Sequence, residues 1–388
     1  MKALILDLKP SRFIATKALA PLWPGAYFGP MAPLRFVERE RSPLPGPRWV
    51  RVRSRLAGIC GSDLHMVFLE GSLSVSPAAF PGRAPGFLGH EVVGEVLETG
   101  LAVRDLKPGD RVVMDGSNDC FSMGIQPPCP ACAAGNRIVC HNAAEHAGEQ
   151  PAGGGWAEEF VRHESNLFRV PPGMSDEEAA LLEPASNGVR AALRAAPEAG
   201  EKCLVIGAGT VGLMTIQALR AARRDLDISV SVLFDRQGEE AMARGADRAL
   251  AAESLFAAAS RLAGARVYTG FRGNRTTTGG FDFVCDCVGS SKTLETALRC
   301  VRAGGRVVLV GAGLYPMSID LTPVWYQEVD IRGMRSHGTE EWEGERLSSY
   351  ERAARWVRDG RMILRGMITH RFPLADYRRA LTLAVARD

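Results

Sequence analysis

The 388-residue chain lacks any uninterrupted apolar stretch of about 18 residues, the length of a membrane-spanning helix, so we expect no membrane partner. It also lacks an apolar leader, because the run from Met1 to Leu8 is short and contains an aspartate, and we expect a cytoplasmic location. The net charge is only +3, and the longest basic cluster, Arg220 to Arg224, holds three arginines, which does not favour nucleic acid as a partner. The remaining composition, 46% hydrophobic and 23% charged, is typical of a globular enzyme.

Cysteines are present in an odd number, nine, and they are unevenly distributed. In a cytosolic enzyme a cluster of cysteines indicates metal binding more than disulfides. The cluster consists of Cys120, Cys129, Cys132 and Cys140. Four further cysteines in apolar segments are interpreted as small core residues: Cys203, Cys285, Cys287 and Cys300.

The ninth cysteine, Cys60, lies in the most informative pattern of the chain. The stretch GICGSDLH at 58–65 is followed by GFLGHEVVGEV at 86–96, which contributes His90 and Glu91. Zinc takes thiolate, imidazole and carboxylate ligands, and a catalytic zinc site leaves one position open. Cys60 and His90 are a suitable soft and borderline pair of ligands. The pattern therefore predicts a catalytic metal site.

A dinucleotide site is predicted at Gly207-Ala208-Gly209-Thr210-Val211-Gly212, which follows an apolar strand and opens a helix. The first glycine permits the tight turn, the second lets the backbone approach the pyrophosphate, and the third allows close packing of helix and strand. Asp235 is expected at the end of the next strand, where a carboxylate binds the ribose 2′-hydroxyl and repels a 2′-phosphate. NAD is therefore favoured over NADP, although the adjacent Arg236 could contact the adenosine or weaken that preference.

The secondary-structure pattern changes twice along the chain. Glycine and proline punctuate short strand candidates in the first half: Lys2–Leu8, Trp49–Ala57, Glu91–Glu98 and Asp110–Met114. From Lys202 to Gly311, apolar strands alternate with amphipathic helices, which indicates a doubly wound parallel sheet and an α/β fold. After Asp330 the pattern is mixed again. Two segments are expected to be loops, namely 13–36, interpreted as a surface loop, a pocket wall or a subunit contact, and 266–280.

The motifs together resemble those of the zinc-dependent medium-chain dehydrogenases/reductases, which include alcohol, sorbitol, glucose and threonine dehydrogenases. GICGSDLH, GHEVVGEV, KPGDRVV, LLEP, VIGAGTVGLM and GGRVVLVGAG occur in the order typical of that family. The resemblance implies a GroES-like β-rich catalytic domain split around a Rossmann NAD(P)-binding domain. The expected bounds are 1–186 and 330–388 for the catalytic domain and 187–329 for the Rossmann domain.

The resemblance also implies a ligand set. Cys60 and His90 correspond to catalytic zinc ligands, and Glu91 to a direct ligand in some members and a nearby carboxylate in others. Glu183, in LLEP, falls where alcohol dehydrogenases carry a second zinc cysteine and where sorbitol- and glucose-type members carry glutamate. The chain is thus similar to the glutamate branch, whose ligand shell is harder than Cys/His/Cys.

Further roles follow from the same resemblance. Ser62 corresponds to the residue that binds the substrate hydroxyl, His65 to the histidine that passes the proton to solvent, and Asp63 to an acid that orients His90. Asn187 lies near where family members contact the nicotinamide. These roles imply hydride transfer between NAD and a secondary alcohol or ketone, with zinc polarising the oxygen.

The cysteine cluster departs from the family pattern. Gly135 and Cys140 set the register of a structural zinc lobe, which leaves Gln126, a poor zinc ligand, at the first position. Cys120 is the expected replacement, with Asp119, His141 and His146 as weaker ones. A metal-free lobe with free thiols is the alternative.

Two other functions are alternatives: a zinc-free reductase of an activated C=C bond, and a non-catalytic binding protein that retains the fold. The presence of Cys60, His90 and Glu183 argues against the first, and the intact glycine pattern against the second. The family also implies a homodimer or homotetramer, with 307–312 as the strand that pairs across the dimer. The substrate is expected to be a polyol, a sugar-like or cyclic alcohol, or a biosynthetic alcohol.

Overall fold

The computed structural model describes residues 1–71, 86–115, 118–143, 153–311 and 313–386. The chain divides into two compact units, one formed by Met1–Glu183 with Leu364–Asp388 and the other by Pro184–Ile363. We call them unit 1 and unit 2. Among the described residues, no helix is both long enough and apolar enough to cross a membrane.

Unit 1 is built on antiparallel strands. Its strands are β1 (Lys2–Leu6), β2 (Leu34–Glu38), β3 (Trp49–Ala57), β4 (Gly86–Phe87), β5 (Val92–Thr99), β6 (Arg111–Met114), β7 (Glu159–His163) and β8 (Leu167–Arg169). Its helices are α1 (Pro10–Leu19), α2 (Gly61–Val67), α3 (Pro130–Ala133) and α4 (Asp176–Ala180). One sheet has the order β7-β3-β5-β6-β8, and a smaller one has the order β2-β1-β4.

Alternation of side chains explains the larger sheet. Val50 and Val52 on β3 point to the same face as Val92 and Val96 on β5, and these side chains are buried with Phe160. Valine and other β-branched residues favour such pleated, half-buried surfaces. The antiparallel register pairs Val52 with both Val96 and Phe160, so the apolar face is continuous across three strands.

Unit 2 contains a parallel sheet covered by helices. In chain order its strands are β9 (Lys202–Ile206), β10 (Asp227–Val232), β11 (Arg248–Ala251), β12 (Arg266–Thr269), β13 (Arg275–Thr278), β14 (Phe281–Asp286), β15 (Val301–Leu309), β16 (Asp330–Gly333), β17 (Thr339–Trp342) and β18 (Glu345–Ser348). The helices are α5 (Leu182–Ala195), α6 (Thr210–Ala222), α7 (Asp235–Ala243), α8 (Leu255–Ala263), α9 (Ser291–Cys300), α10 (Thr322–Tyr326) and α11 (Ser349–Arg358). A last helix, α12 (Tyr377–Ala386), belongs to unit 1.

The six parallel strands have the order β11-β10-β9-β14-β15-β16. The first strand of this sheet in chain order is β9, and β10 and β11 follow on one side of it. The chain then returns and adds β14 on the other side of β9. Ligands of such sheets bind at the carboxyl ends of the strands where the order reverses, which here are β9 and β14. The predicted fold class, a Rossmann sheet with a GroES-like β-rich domain, is confirmed.

Several local expectations differ from the structure. Segment 13–36 is largely regular, with most of α1, a 3₁₀ turn at Pro24–Phe28 and part of β2. Proline stands in the first turn of α1 and of the 3₁₀ turn without breaking either element. Backbone N–H groups at the start of a helix have no partner within it, so the N–H that proline lacks is not needed there. Segment 266–280 is a hairpin of β12 and β13 rather than a loop.

The expected edge strand was wrong, and the two compact units do not coincide with the expected domain bounds. Strand β15, which contains Val307, is flanked by β14 and β16, so the edge of the parallel sheet is β16 (Ala312 lies outside the described residues). Since β16 and α11 belong to unit 2, the chain returns to unit 1 at Leu364 and not at 330, and it leaves unit 1 after Glu183 and not after 186.

Candidate metal and dinucleotide sites

The first metal-ligand candidate, Cys60, lies at the N-terminus of α2. Cys60 is the residue that caps the helix, and its own backbone N–H donates to Asp63 Oδ2 at 3.1 Å. Asp63 is buried, and its Oδ1 accepts a hydrogen bond from Gly89 N–H at 3.2 Å. Asp63 Oδ1 also lies 3.6 Å from His90 Nδ1. One carboxylate thus links the two ligand-bearing segments, in the manner of groups that orient metal-bound histidines.

The second segment is held close to the first by a backbone contact. Gly58 N–H donates to Glu91 O at 2.7 Å, and Trp156 Nε1 donates to Gly58 O at 2.9 Å. A Cβ atom at position 58 would lie 2.1 Å from Glu91 Oε2. Glycine at this position is therefore required for the Glu91 carboxylate to approach Cys60.

Cys60, His90 and Glu91 form a group whose ligand atoms all lie within 4.8 Å of one another. Glu183, on the first turn of α5, is buried and is not part of that group as the described residues are arranged, although its charge acts on both His90 and Glu91. The sequence thus predicted a set of four ligands, of which the structure gathers three.

The electrostatics of this group fit a divalent cation. Burial and the charge of Glu183 raise the pKa of Glu91 to about 8. Burial by itself lowers the pKa of His90, but the neighbouring Asp63, Cys60 and Glu183 side chains together raise it to about 12. Burial also raises the pKa of the Cys60 thiol. Several buried acids that repel one another are stabilised by a cation among them, and a Cys/His/Glu donor set suits zinc.

The predicted proton-relay residues lie on α2. Ser62 is half-buried, two residues after Cys60, and its side chain acts to lower the pKa of that thiol, against the larger effect of burial. His65 follows three residues later, on the same helical face, and its Nδ1 lies 2.9 Å from Glu70 Oε2. Glu70 was not identified from the sequence. Its signal is weak, since an exposed glutamate just after a helix is ordinary.

The four clustered cysteines converge in the structure, including Cys120, which was the proposed substitute ligand. Their sulfur atoms all lie within 4.8 Å of one another, at 3.6 Å between Cys120 and Cys140 and 4.0 Å between Cys129 and Cys140. All four are free thiols. Zinc–sulfur bonds of about 2.3 Å place tetrahedral sulfurs about 3.8 Å apart, so the spacing fits a closed zinc site.

Backbone groups donate to two of these sulfurs, whereas burial raises the pKa of the Cys132 and Cys140 thiols. Hydrogen bonds from the backbone of Cys132 and His141 lower the pKa of Cys129 to about 6. Cys129 N–H donates to Cys120 Sγ at 3.3 Å, and Asn142 Nδ2 donates to the same sulfur at 3.3 Å. The lesser candidates for the missing ligand have other surroundings: Asp119 is bound by Ser122, Arg137 and Asn166, and His146 lies outside the described residues.

A buried ion-pair network attaches the cysteine lobe to the larger sheet. Arg137, between Cys132 and Cys140, donates to Asp119 Oδ2 at 3.1 Å and to Asp115 Oδ2 at 2.6 Å. Asp119 is fully buried and directly precedes Cys120. The pair therefore ties together the two ends of the lobe, a role that sequence inspection missed.

In unit 2, the glycine-rich turn connects β9 to α6. Gly207 has a φ of +93°, which glycine adopts at little cost, and a Cβ at Gly212 would lie 2.0 Å from Gly207 O. A Cβ at Gly209 would meet nothing within 4 Å. The first and third glycines are thus required by the protein itself, and the second is explained by the approach of a pyrophosphate to the start of α6. Thr210 and Val211 form the first turn of this helix.

The remaining cofactor candidates lie near the strand ends. Asp235 is the first residue of α7, after β10, and both Asp235 and Arg236 are exposed. Asn187 is half-buried on α5. Asp286, at the end of β14, was missed: it is fully buried, and its side chain accepts hydrogen bonds from Val288 N–H and Gly289 N–H, both at 3.0 Å. Burial raises the pKa of Asp286, and these bonds oppose that shift.

Comparison with known proteins identifies the family of the chain. Residues 46–172 match the model of the alcohol dehydrogenase GroES-like domain, and residues 210–349 match that of the zinc-binding dehydrogenases. L-idonate 5-dehydrogenase of Vitis vinifera is 32% identical over 335 residues, which cover 86% of this chain and 83% of that protein. Sorbitol dehydrogenase of Arabidopsis thaliana is 31% identical over 332 residues, with coverages of 85% and 83%.

A solved structure shows the same architecture. A zinc-binding dehydrogenase from Sinorhizobium meliloti 1021, bound to NADP, superposes with a TM-score of 0.69 and is 27% identical, with 90% of this chain and 91% of that chain covered. The fold, the metal-ligand group and the glycine turn thus define an oxidoreductase that acts on CH–OH groups with a nicotinamide cofactor. The chain belongs to the zinc-dependent medium-chain dehydrogenases. Nothing in these matches favours the two alternative functions.

Proposed function

We propose that the protein oxidises a secondary alcohol of a polyhydroxylated substrate to the ketone, with NAD as hydride acceptor. The observation that carries the proposal is the convergence of Cys60, His90 and Glu91 within 4.8 Å in a chain that also contains the glycine turn of a dinucleotide site. The substrate class is supported by the idonate and sorbitol dehydrogenases among the relatives, both of which are named for polyhydroxylated compounds.

Cys60, His90 and one glutamate would hold the catalytic zinc. Glu91 belongs to the ligand group with Cys60 and His90, and the charge of Glu183 acts on Glu91. Either glutamate would serve as the third ligand, and the other would offset the positive charge of the metal. Bound zinc supplies a Lewis acid for the substrate oxygen, and bound nicotinamide accepts the hydride. Asp63 holds His90 in orientation through its contact with Nδ1.

The protein's own groups move the proton. The Ser62 hydroxyl accepts the proton of the substrate hydroxyl as it donates its own to the ring of His65, one helical turn later on α2. His65 is partly exposed and releases the proton to water. The half-buried position of Ser62, next to Cys60, keeps this first step close to the metal ligands.

NAD is proposed over NADP because of Asp235, which does not end β10 but begins α7 three residues after β10 ends at Val232. Its carboxylate would hydrogen-bond a ribose 2′-hydroxyl and repel a 2′-phosphate. The NADP bound by the Sinorhizobium meliloti relative makes this a point to test for this chain. Arg236 is exposed beside Asp235 and offers the opposite charge.

A second, structural zinc is proposed at Cys120, Cys129, Cys132 and Cys140. It is supported by sulfur distances of 3.6 and 4.0 Å and by the backbone hydrogen bonds that lower the pKa of Cys129. The lobe would then resemble a closed four-thiolate site, in which metal binding contributes directly to folding.

The function is tested by following NAD and NADP reduction with a panel of polyols, sugar acids and simple secondary alcohols, before and after treatment with a zinc chelator. The expected result is reduction of NAD by a polyhydroxylated alcohol, loss of activity on chelation, and recovery on addition of zinc. Chelator-insensitive reduction of an activated C=C bond would instead favour the zinc-free reductases of the same fold.

A further inference from the structure

The turn after α2 places an acid against the histidine of the proposed proton relay. Glu70 N–H donates to His65 O at 2.7 Å, and Leu69 N–H donates to Met66 O at 3.3 Å. These two backbone bonds form the Schellman arrangement that closes a helix at its C-terminus. The Glu70 side chain then returns to His65, with Oε2 at 2.9 Å from Nδ1. Backbone and side chain therefore join the same two residues.

Leu69 makes this turn unusual. It adopts the left-handed conformation, with a φ of +53°, at a position that is normally glycine. A residue other than glycine is strained in this region, and such strained positions cluster at functional sites. The Leu69 side chain is 4% exposed, so its burial offsets the strain and holds the turn in place. The orientation of the Glu70 side chain thus depends on the buried Leu69 beside it.

The contact determines which ring nitrogen of His65 takes part in proton transfer. When Nδ1–H donates to a carboxylate, the neutral imidazole carries no proton on Nε2, and Nε2 is the nitrogen that accepts one. The side chains of His65 and Glu70 are 37% and 51% exposed, so the ring exchanges its proton with water.

We propose that Glu70 is a positioning residue of the proton relay, which holds His65 in the tautomer protonated on Nδ1. This inference rests on the proposed function, alcohol oxidation through Ser62 and His65. In each turnover, one proton passes from the substrate hydroxyl through the Ser62 hydroxyl to Nε2 of His65 and then to water. Glu70 does not carry the proton in this sequence, and no further reactant is required.

The kinetic test is a double-mutant cycle on the zinc-loaded, full-length enzyme. Glu70→Ala is expected to lower kcat for alcohol oxidation roughly tenfold, the scale of losses when the orienting partner of a functional histidine is removed, with KM for the alcohol unchanged. Glu70→Gln, which keeps a hydrogen-bond acceptor, is expected to restore part of that loss. In a His65→Ala background, Glu70→Ala is expected to change nothing further, because its effect passes through the histidine.

A second readout does not depend on activity. The ¹⁵N chemical shifts of the His65 ring report its tautomer, and we expect protonation on Nδ1 in the natural sequence and a mixture of tautomers in Glu70→Ala. Glu40→Gln serves as the matched control, since Glu40 is an exposed acid of unit 1, and it is expected to alter neither kcat nor the tautomer.

The possible outcomes separate this inference from the proposed function. A kcat of Glu70→Ala within twofold of the natural enzyme, an equal loss with and without His65, or an unchanged tautomer would each overturn the proposal. If no alcohol is oxidised by the natural enzyme, the proposed function fails, while the ¹⁵N measurement still decides whether Glu70 sets the tautomer.

Discussion

Single side chains decide how the candidate sites act, and Asp235 illustrates this for the cofactor. Replacement of Asp235 by serine would remove the proposed charged hydrogen bond to the ribose, of about 2 kcal/mol, and the proposed repulsion of a 2′-phosphate. We expect kcat/KM for NAD to fall roughly thirtyfold and that for NADP to rise. The measurement is the ratio of kcat/KM for the two cofactors. Glu239→Gln, an exposed acid on the same helix, is the control, and an unchanged ratio in Asp235→Ser would contradict the assignment.

Residues in short motifs could be predicted from the sequence, whereas residues placed by turns could not. Cys60, Asp63 and His90 were found because the metal and its orienting acid require particular residue types at close spacing. Glu70 and Asp286 were missed because their roles depend on local backbone geometry, a left-handed residue at Leu69 and two N–H groups after β14. Neither conformation has a signature in the residue types alone.

At the scale of elements, the glycine turn gives a matched pair of substitutions. Gly209→Ala is expected to weaken NAD binding strongly without altering thermal unfolding, because its Cβ meets no protein atom within 4 Å and intrudes where the pyrophosphate would approach. Gly212→Ala is expected both to weaken NAD binding and to lower the temperature of thermal unfolding, because its Cβ would meet Gly207 O. NAD titration by fluorescence and thermal unfolding are the measurements. Equal NAD affinity for Gly209→Ala and the natural protein would refute a pyrophosphate site here.

The ion-pair network of the cysteine lobe gives a prediction on stability. Arg137→Met leaves the fully buried Asp119 and the buried Asp115 without their cation, and we expect a loss of about 3 kcal/mol in the free energy of unfolding. Arg358→Met, which breaks an exposed pair with Asp359, is the control, with a change within about 0.5 kcal/mol. Urea unfolding measures both. Equal effects would mean that the lobe does not depend on this pair.

Elements with a regular period were predicted well, and elements set by tertiary packing were not. The alternating strands and helices from β9 to β15 follow from their apolar periodicity. Segment 13–36 shows no such period, yet Phe28 packs edge-on against Phe68 at 6.1 Å and against Tyr377 at 6.4 Å, side chains distant in sequence. The hairpin of β12 and β13 is threonine- and arginine-rich, and it is attached by the Thr277 hydroxyl to Arg299 O. Such contacts cannot be read from a single segment.

At the scale of the whole molecule, unit 2 exposes an apolar edge. Trp325 and Tyr326 on α10 are 72% and 69% exposed, and Ile331 on the edge strand β16 is 40% exposed. Exposed strand edges and aromatic clusters favour association, so we propose a homo-oligomer. Light scattering after gel filtration should give a mass of at least twice the 41.8 kDa of the chain. Ile331→Lys should lower that mass, whereas Val267→Lys on the β12 hairpin should not. A monomer at every concentration would contradict the proposal.

The central claim is that Cys60, His90 and a glutamate bind a zinc ion in addition to the one at the cysteine lobe. Its most direct test is the zinc content per chain, measured by elemental analysis on protein purified without added metal. Two zincs per chain are expected for the natural sequence and for Cys203→Ser, because Cys203 is a core residue of β9. One zinc per chain is expected for Cys60→Ser. A zinc content that Cys60→Ser leaves unchanged would contradict zinc binding by Cys60, His90 and a glutamate.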